Sequence, residues 1–390
     1  MPEDNSDIQV KKRGRIPAVF RSNIMAYTMV FALIGIWIIL FFLTGGTFLT
    51  PRNLAMLFRQ TSMIAILSLG MVLVIISGNI DLSVGSVLGL CGTVAGILQV
   101  WYKWALLPTL IVTILIGIVI GFWQGFWIAY MRVPSFIVTL AGLMIFRGVI
   151  LGMTKSVMIG PMIDEFKLIG QSYLAHTVGW VIAGVAILFI IYRTITGRGS
   201  RKKYNLKLTA AYVDLLKVIL ISILFVGFVT IMNLYGGVPT PVLILIGLAV
   251  IVHFISTKTK FGRSVYAVGG NREATRLSGI NTKKVTLFVF VLVGFLCSIV
   301  GIILTARLNA ATSSAGNMME MDTIAACVLG GASLMGGIGS IPGAICGALV
   351  MASIDNGMSL MNMEYYWQYV AKGLILIFVV CADISTKKGE

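Results

Sequence analysis

The sequence predicts an all-α, polytopic transmembrane helical bundle of about 10–12 spans, some of them broken or half-spanning. Three observations carry that prediction. Hydrophobic residues make up 58% of the 390-residue chain and charged residues only 11%, with a mean hydropathy of +0.98, whereas soluble domains hold about 25% charge. Roughly a dozen stretches reach the ~20 apolar residues that a membrane crossing needs. The connectors between them are mostly short, which leaves no room for a separate soluble domain and excludes a soluble enzyme.

Taken in order, the expected spans are 24–43, 54–77, 82–99, 105–130, 134–152, 177–193, 212–232, 238–256, 286–306, 320–337, 340–360 and 365–384. The first follows a basic cluster (Lys11, Lys12, Arg13, Arg15, Arg21). It is longer than a signal-peptide core and lacks an A-x-A cleavage pattern, so it reads as a retained span. Glycines interrupt 82–99 and 320–360, which marks these as the broken segments. The organisation expected is a tail over 1–23, a membrane domain over 24–384 with a basic connector at about 257–285, and a second tail over 385–390.

The net charge of +16 would suggest nucleic acid in a soluble protein. With twelve crossings, however, 21 of the 30 basic residues fall on one side and 6 on the other, as the positive-inside bias requires. The charge therefore reports topology, both termini are expected in the cytoplasm, and no nucleic-acid partner is implied. The five cysteines lie in apolar runs without metal-ligand spacing and read as small core residues. Trp101, Trp104 and Trp180 fall at span ends, as interfacial aromatics do; for Trp37, Trp123, Trp127 and Trp367 packing competes with sugar stacking.

Nothing in the chain supplies energy or chemistry. It contains no Gly-Lys dipeptide and so no P-loop, His176 and His253 stand alone, and G-x-S-x-G is missing. Ionisable residues within or near spans are few: Asp81, Arg147, Glu320, Asp322, Asp355, Glu364 and Lys372. That scarcity favours energy from another subunit over a self-sufficient ion-coupled carrier or facilitator.

The basic connector carries a helix written in capping signals. Asn271 suits the N-cap, Glu273 the first turn, and Gly279 the left-handed position after the last turn. Ala274 and Leu277 share one face, with Ile280 beyond. So short a helix is marginal in water, which leaves two readings open, a docking surface for a partner or a helix resting on lipid headgroups.

The run from Tyr266 to Asn281 resembles the cytoplasmic coupling segment of the permeases of bacterial sugar-uptake ABC transporters, the ribose, xylose and galactose group. Ser77 to Ser86, Val133 to Leu140 and Ala325 to Gly339 are similar to three further blocks of that family, in the same order, so the resemblance runs from about residue 50 to 384. It implies a permease of the bacterial inner membrane that pairs with a second permease copy as a homodimer and receives sugar from an extracytoplasmic binding protein. A separate ATPase subunit would hold the ATP and Mg, with no cofactor on this chain. Gly270, Asn271, Arg272, Glu273, Ala274, Arg276, Leu277, Gly279 and Ile280 would then couple to the ATPase. An enlarged stretch at about 153–235, with two extra apolar segments and the basic loop Arg198 to Lys207, looks most like the xylose permeases.

Route candidates are Asn79, Asp81, Ser83, Phe136 and Thr139. Asn79 and Asp81 either line a helix break on the sugar's path, or Asp81 caps a helix starting at Leu82 with Asn79 in the turn. Gly117, Gly121 and Gly125, like Gly85 and Gly89, fit close helix packing. The run Gly336 to Gly343 is a sharp break, either a turn or a re-entrant feature. Gly121-xxx-Gly125 with Arg147, and Gly343-xxx-Gly347 with Lys372, suggest an internal repeat.

Overall fold

A computed structural model describes residues 18–204 and 210–387. The cluster Lys11 to Arg15 and the end of the loop at Lys207 lie outside the described residues. Each of the twelve expected segments contains a helix: α1 (Ala18–Leu43), α2 (Pro51–Ile76), α3 (Val84–Gly96), α4 (Leu106–Ala129), α5 (Ser135–Thr154), α7 (His176–Lys203), α8 (Ala211–Asn233), α9 (Thr240–Lys258), α12 (Thr282–Leu308), α13 (Met319–Leu329), α14 (Ile341–Leu360) and α15 (Tyr365–Lys387). Three short helices complete the set: α6 (Asp164–Gln171), α10 (Lys260–Gly270) and α11 (Arg272–Leu277). Among the described residues nine helices are long and apolar enough to cross a membrane, and the only β-structure is two isolated bridges.

The segment expected as a span at 320–337 is a half-helix. α13 has 11 residues, about 16 Å at 1.5 Å per residue, against a ~30 Å hydrocarbon core. Gly330 and Gly331 end it, and the chain stays irregular until Ser340, whose side chain accepts from Gly343 N–H and starts α14 with Pro342 in the first turn. α3 is likewise broken: residues 79–83 are non-helical, the helix begins only at Val84, and a π-turn over Ile97–Trp101 ends it.

α2 is wrapped on all sides and forms the centre with α12. Packing repeats around them with the chain direction reversed. α4 lies on α12 as α14 lies on α2, α3 on α12 as α13 on α2, and α3 on α5 as α13 on α15. The repeat suggested by the glycine pattern is thus present as an inverted pair of helix sets, α2–α5 and α12–α15, the arrangement common in transporters. Its glycines are not equivalent, however: Gly121 packs on Phe290 of α12, and Gly347 on Ala326 of α13.

The α4–α12 crossing is close for a reason the spacing gave. Added side chains at Gly117 or Gly294 would meet each other's backbone, and one at Gly125 would meet Leu287. One further expectation needs correction. Cys346 and Cys381 are exposed, and only Cys91, Cys297 and Cys327 are core residues. An apolar run at the bundle's edge has one face outward, so its small residues need not be internal. Trp37, left open between packing and sugar stacking, packs, donating to Ser353 Oγ at 2.9 Å and meeting Phe48 edge-on. α7 and α8, the enlarged stretch, form a peripheral hairpin closed by the Arg198–Asp214 ion pair.

Candidate coupling face and helix-break junction

α11 folds as its sequence dictates. Asn271 sits in extended geometry and its side-chain oxygen accepts from Ala274 N–H at 2.9 Å, while Gly279 takes a φ of +81°. Both choices satisfy backbone groups that a free helix end leaves open. Glu273 pairs with Arg276 at 2.6 Å, both side chains exposed, so the pair stabilises little. Thr275 turns inward, whereas Ala274 is exposed and Leu277 is 78% exposed. Arg272 and Gly270 are exposed or nearly so, and Ile280 is half-buried. A capped turn thus holds a bare leucine in solvent.

Behind α11, Thr259 caps α10 by accepting from Gly262 N–H. α10 is seated directly on the bundle. A Cβ at Gly269 would collide with the carbonyl of Ile76, the last residue of α2, and lie 2.7 Å from the amide of Gly337. That amide donates to the same Ile76 carbonyl at 2.8 Å, and the Tyr266 hydroxyl donates to the Gly339 carbonyl at 2.9 Å. Burial raises the Tyr266 phenol above its ordinary range, so it remains a donor. The break at Gly336 to Gly339 is therefore a turn welded to α10 and to the end of α2. Gly336 and Gly337 hold φ of +87° and +76°, which a side chain would oppose.

A cavity of about 400 Å³ opens between α11 and the α4–α5 turn, with Asn79 on its wall. Arg132, Arg272, Arg276 and Lys283 line it against a single carboxylate, Glu273, and Lys283 Nζ sits 5.6 Å over the Tyr130 ring. The cavity is strongly cationic, an electrostatic invitation to acidic groups.

The route candidates separate in space. Asp81 and Ser83 come together: the Asp81 carboxylate accepts from Ser83 N–H at 2.8 Å and from its hydroxyl at 2.6 Å. Asp81 therefore does not cap a helix at Leu82. Its bonds to Ser83 form a local turn that competes with helix, and α3 starts one residue after Ser83. Gln124 of α4 donates to Ser83 Oγ at 2.7 Å, a contact between distant segments that no local pattern could announce. Asp81 and Ser83 are both buried within the chain. Asn79 bonds Ser77 and faces the cationic cavity. The Thr139 hydroxyl, fully buried, donates to the Ser135 carbonyl at 2.9 Å beside Ile80, while Phe136 points outward.

Sequence reasoning noted Arg147 and Lys372 as ionisable groups in spans without finding their partners. Arg147 donates to the carbonyls of Ser313 and Ala315, and Lys372 bonds Asp322 at 2.7 Å and Asp355 at 3.0 Å. Arg147 holds the unwound lead into α13, and Lys372 ties the first turn of α13 to α14.

A multi-pass bundle of inverted helix sets, broken at depth and bearing an exposed capped helix on its basic end, defines a membrane transport permease. The chain matches the model of the branched-chain amino acid transport system / permease component family over residues 53–380 and belongs to that family. It is 46% identical over 381 residues to the xylose transport system permease protein XylH of Escherichia coli K12, covering 98% of this chain and 97% of the relative. The corresponding protein of Haemophilus influenzae is 45% identical over 366 residues, 94% of this chain and 98% of the relative. The ribose import permease protein RbsC of Escherichia coli K12 is 33% identical over 336 residues, 86% and 87%. No solved structure matches.

Proposed function

We propose that the chain is the membrane subunit of an ATP-driven importer that carries a pentose, xylose in the first instance, across the bacterial inner membrane. The near full-length similarity to a xylose transport permease carries this reading. In it the chain is no enzyme. A separate ATPase holds ATP and Mg, an extracytoplasmic binding protein delivers the sugar, and two identical copies pair in the bilayer. The basic end faces the cytoplasm with both termini, in keeping with the 21-to-6 division of basic residues.

Docking falls to α11. Leu277 and Ala274 present apolar surface, and burying a leucine is worth about 1.5–3 kcal/mol. Arg272, Arg276 and the cationic cavity beside them call for an acidic surface on the ATPase. Differential contacts to α11 in the nucleotide-bound and free ATPase would shift the permease between two conformations.

Reconstitution tests the whole reading. The chain with its ATPase and binding protein should accumulate xylose only when ATP is supplied, and faster than ribose. Uptake driven by a proton or sodium gradient without the ATPase would overturn it. For docking, Leu277→Asp should lower co-purification of the ATPase by ~10-fold or more while leaving membrane levels unchanged, since a lost ~1.4 kcal/mol is tenfold. Unaltered co-purification would remove α11 from the interface.

A further inference from the structure

The stretch from Asn309 to Met318 is unwound at a depth where the rest of the bundle is helical. Ala311 lies against Gly96 and Gly316 against Gly85, so the stretch descends ~16 Å along α3, about half of a ~30 Å hydrocarbon layer. α3 closes its back. On one flank Arg147 of α5 donates to the Ser313 and Ala315 carbonyls at 2.8 and 3.0 Å. On the other, the Asn317 amide donates to the Tyr369 hydroxyl of α15 at 2.8 Å, and that hydroxyl donates to Tyr365 at 3.2 Å.

The front is uncovered. Ser314 and Asn317 are exposed, and Tyr365 is 62% exposed. Non-helical backbone at this depth is tolerated only when buried in protein or lining water, because hydrocarbon cannot satisfy its polar groups. Among the described residues none covers the front at Ser314 and Asn317. The charges nearest the front are mostly engaged: Glu320 and Asp322 are buried, Lys372 is paired with Asp322 and Asp355, and the half-buried Arg147 is spent on two carbonyls, which leaves exposed Glu364 at the head of α15. What remains presented is a row of hydroxyl and amide groups beside two tyrosine rings set edge to face.

We propose that this open face between α5 and α15 is a wall of the sugar's water-filled route, and that Asn317, Tyr369 and Tyr365 are the groups that exchange hydrogen bonds with an uncharged polyhydroxy solute as it passes. The inference rests on the permease reading and moves the route away from Asp81 and Ser83, whose hydrogen bonds are spent inside the chain. Hydroxyl and amide donors and acceptors match the hydroxyl groups of a neutral sugar. Aromatic rings add apolar platforms for its C–H faces.

The test uses the assembled transporter in membrane vesicles, with exposed Cys346 and Cys381 replaced by serine. Ser314→Cys and Asn317→Cys should react with a charged, membrane-impermeant methanethiosulfonate at least ~10-fold faster than Leu188→Cys and Ile223→Cys on the outer hairpin, because only a wet thiol ionises. Equal rates would overturn the proposal. Asn317→Leu should lower xylose uptake about tenfold with ATPase co-purification intact, and Asn317→Gln should recover part of it. Wild-type uptake by Asn317→Leu would equally count against it. Thiol labelling needs no sugar, so an assembly that labels as expected yet moves no pentose would refute the substrate reading and leave the wet wall standing.

Discussion

α2 and the α7–α8 hairpin are all apolar enough to cross a membrane, yet 94% of the most apolar stretch of α2 is buried and only 11% of that of α7 or α8. Hydropathy separates both from loops and cannot separate them from each other. Side-chain chemistry does. α2 carries Asn53, Arg59, Thr61, Ser62 and Ser68, all buried and bonded to neighbours or to their own backbone. The hairpin turns Leu188, Phe189, Ile223 and Leu224 outward. A central helix in lipid is marked by polar and small residues that give neighbours something to hold; a peripheral one is marked by bulky aliphatics that lipid covers as well as protein does. This explains how the enlarged region is accommodated: a hairpin on the rim extends the chain without disturbing the middle.

The contrast can be broken hardest at the glycine-lined α4–α12 crossing. Gly294→Leu drives a side chain into the backbone of Gly117 and Gly121, and should cost about 3 kcal/mol or more, read as loss of folded protein in a denaturant titration in detergent. Asn53→Ala strips a reciprocal amide pair with Asn356, bonded at 2.8 and 3.0 Å. It should cost about 1 kcal/mol in the same titration, in the range measured for hydrogen bonds between membrane helices. Leu188→Ala on the hairpin should change stability by less than about 0.5 kcal/mol. A Leu188 effect as large as that of Asn53 would mean that the hairpin's outer face is covered by protein.

Much of this architecture was legible. All twelve apolar segments contain helices, and the Asn271 and Gly279 caps fall where local rules put them, because capping is decided by backbone groups a few residues apart. The half-helix at α13 was flagged by its glycines but drawn too long, since apolar residues continue past Leu329 while the backbone turns at Gly330 to dock on Gly343. The start of α3 was misplaced by two residues because Ser83 is claimed by Asp81 and by Gln124. The contact between Asn317 and Tyr369 is invisible in the sequence, since residues 52 apart meet there only through tertiary packing.

The seat of α10 has a mechanical consequence. Side chains between two helices act as a cushion, because rotamers and small gaps take up slight displacements. Gly269 has none, so main chain rests on main chain at Ile76 and Gly337. Such a joint has almost no compliance. A displacement imposed on α10 from the neighbouring segment that carries Leu277 therefore bears directly on the foot of α2 and on the turn before α14, with no side chain between to absorb it.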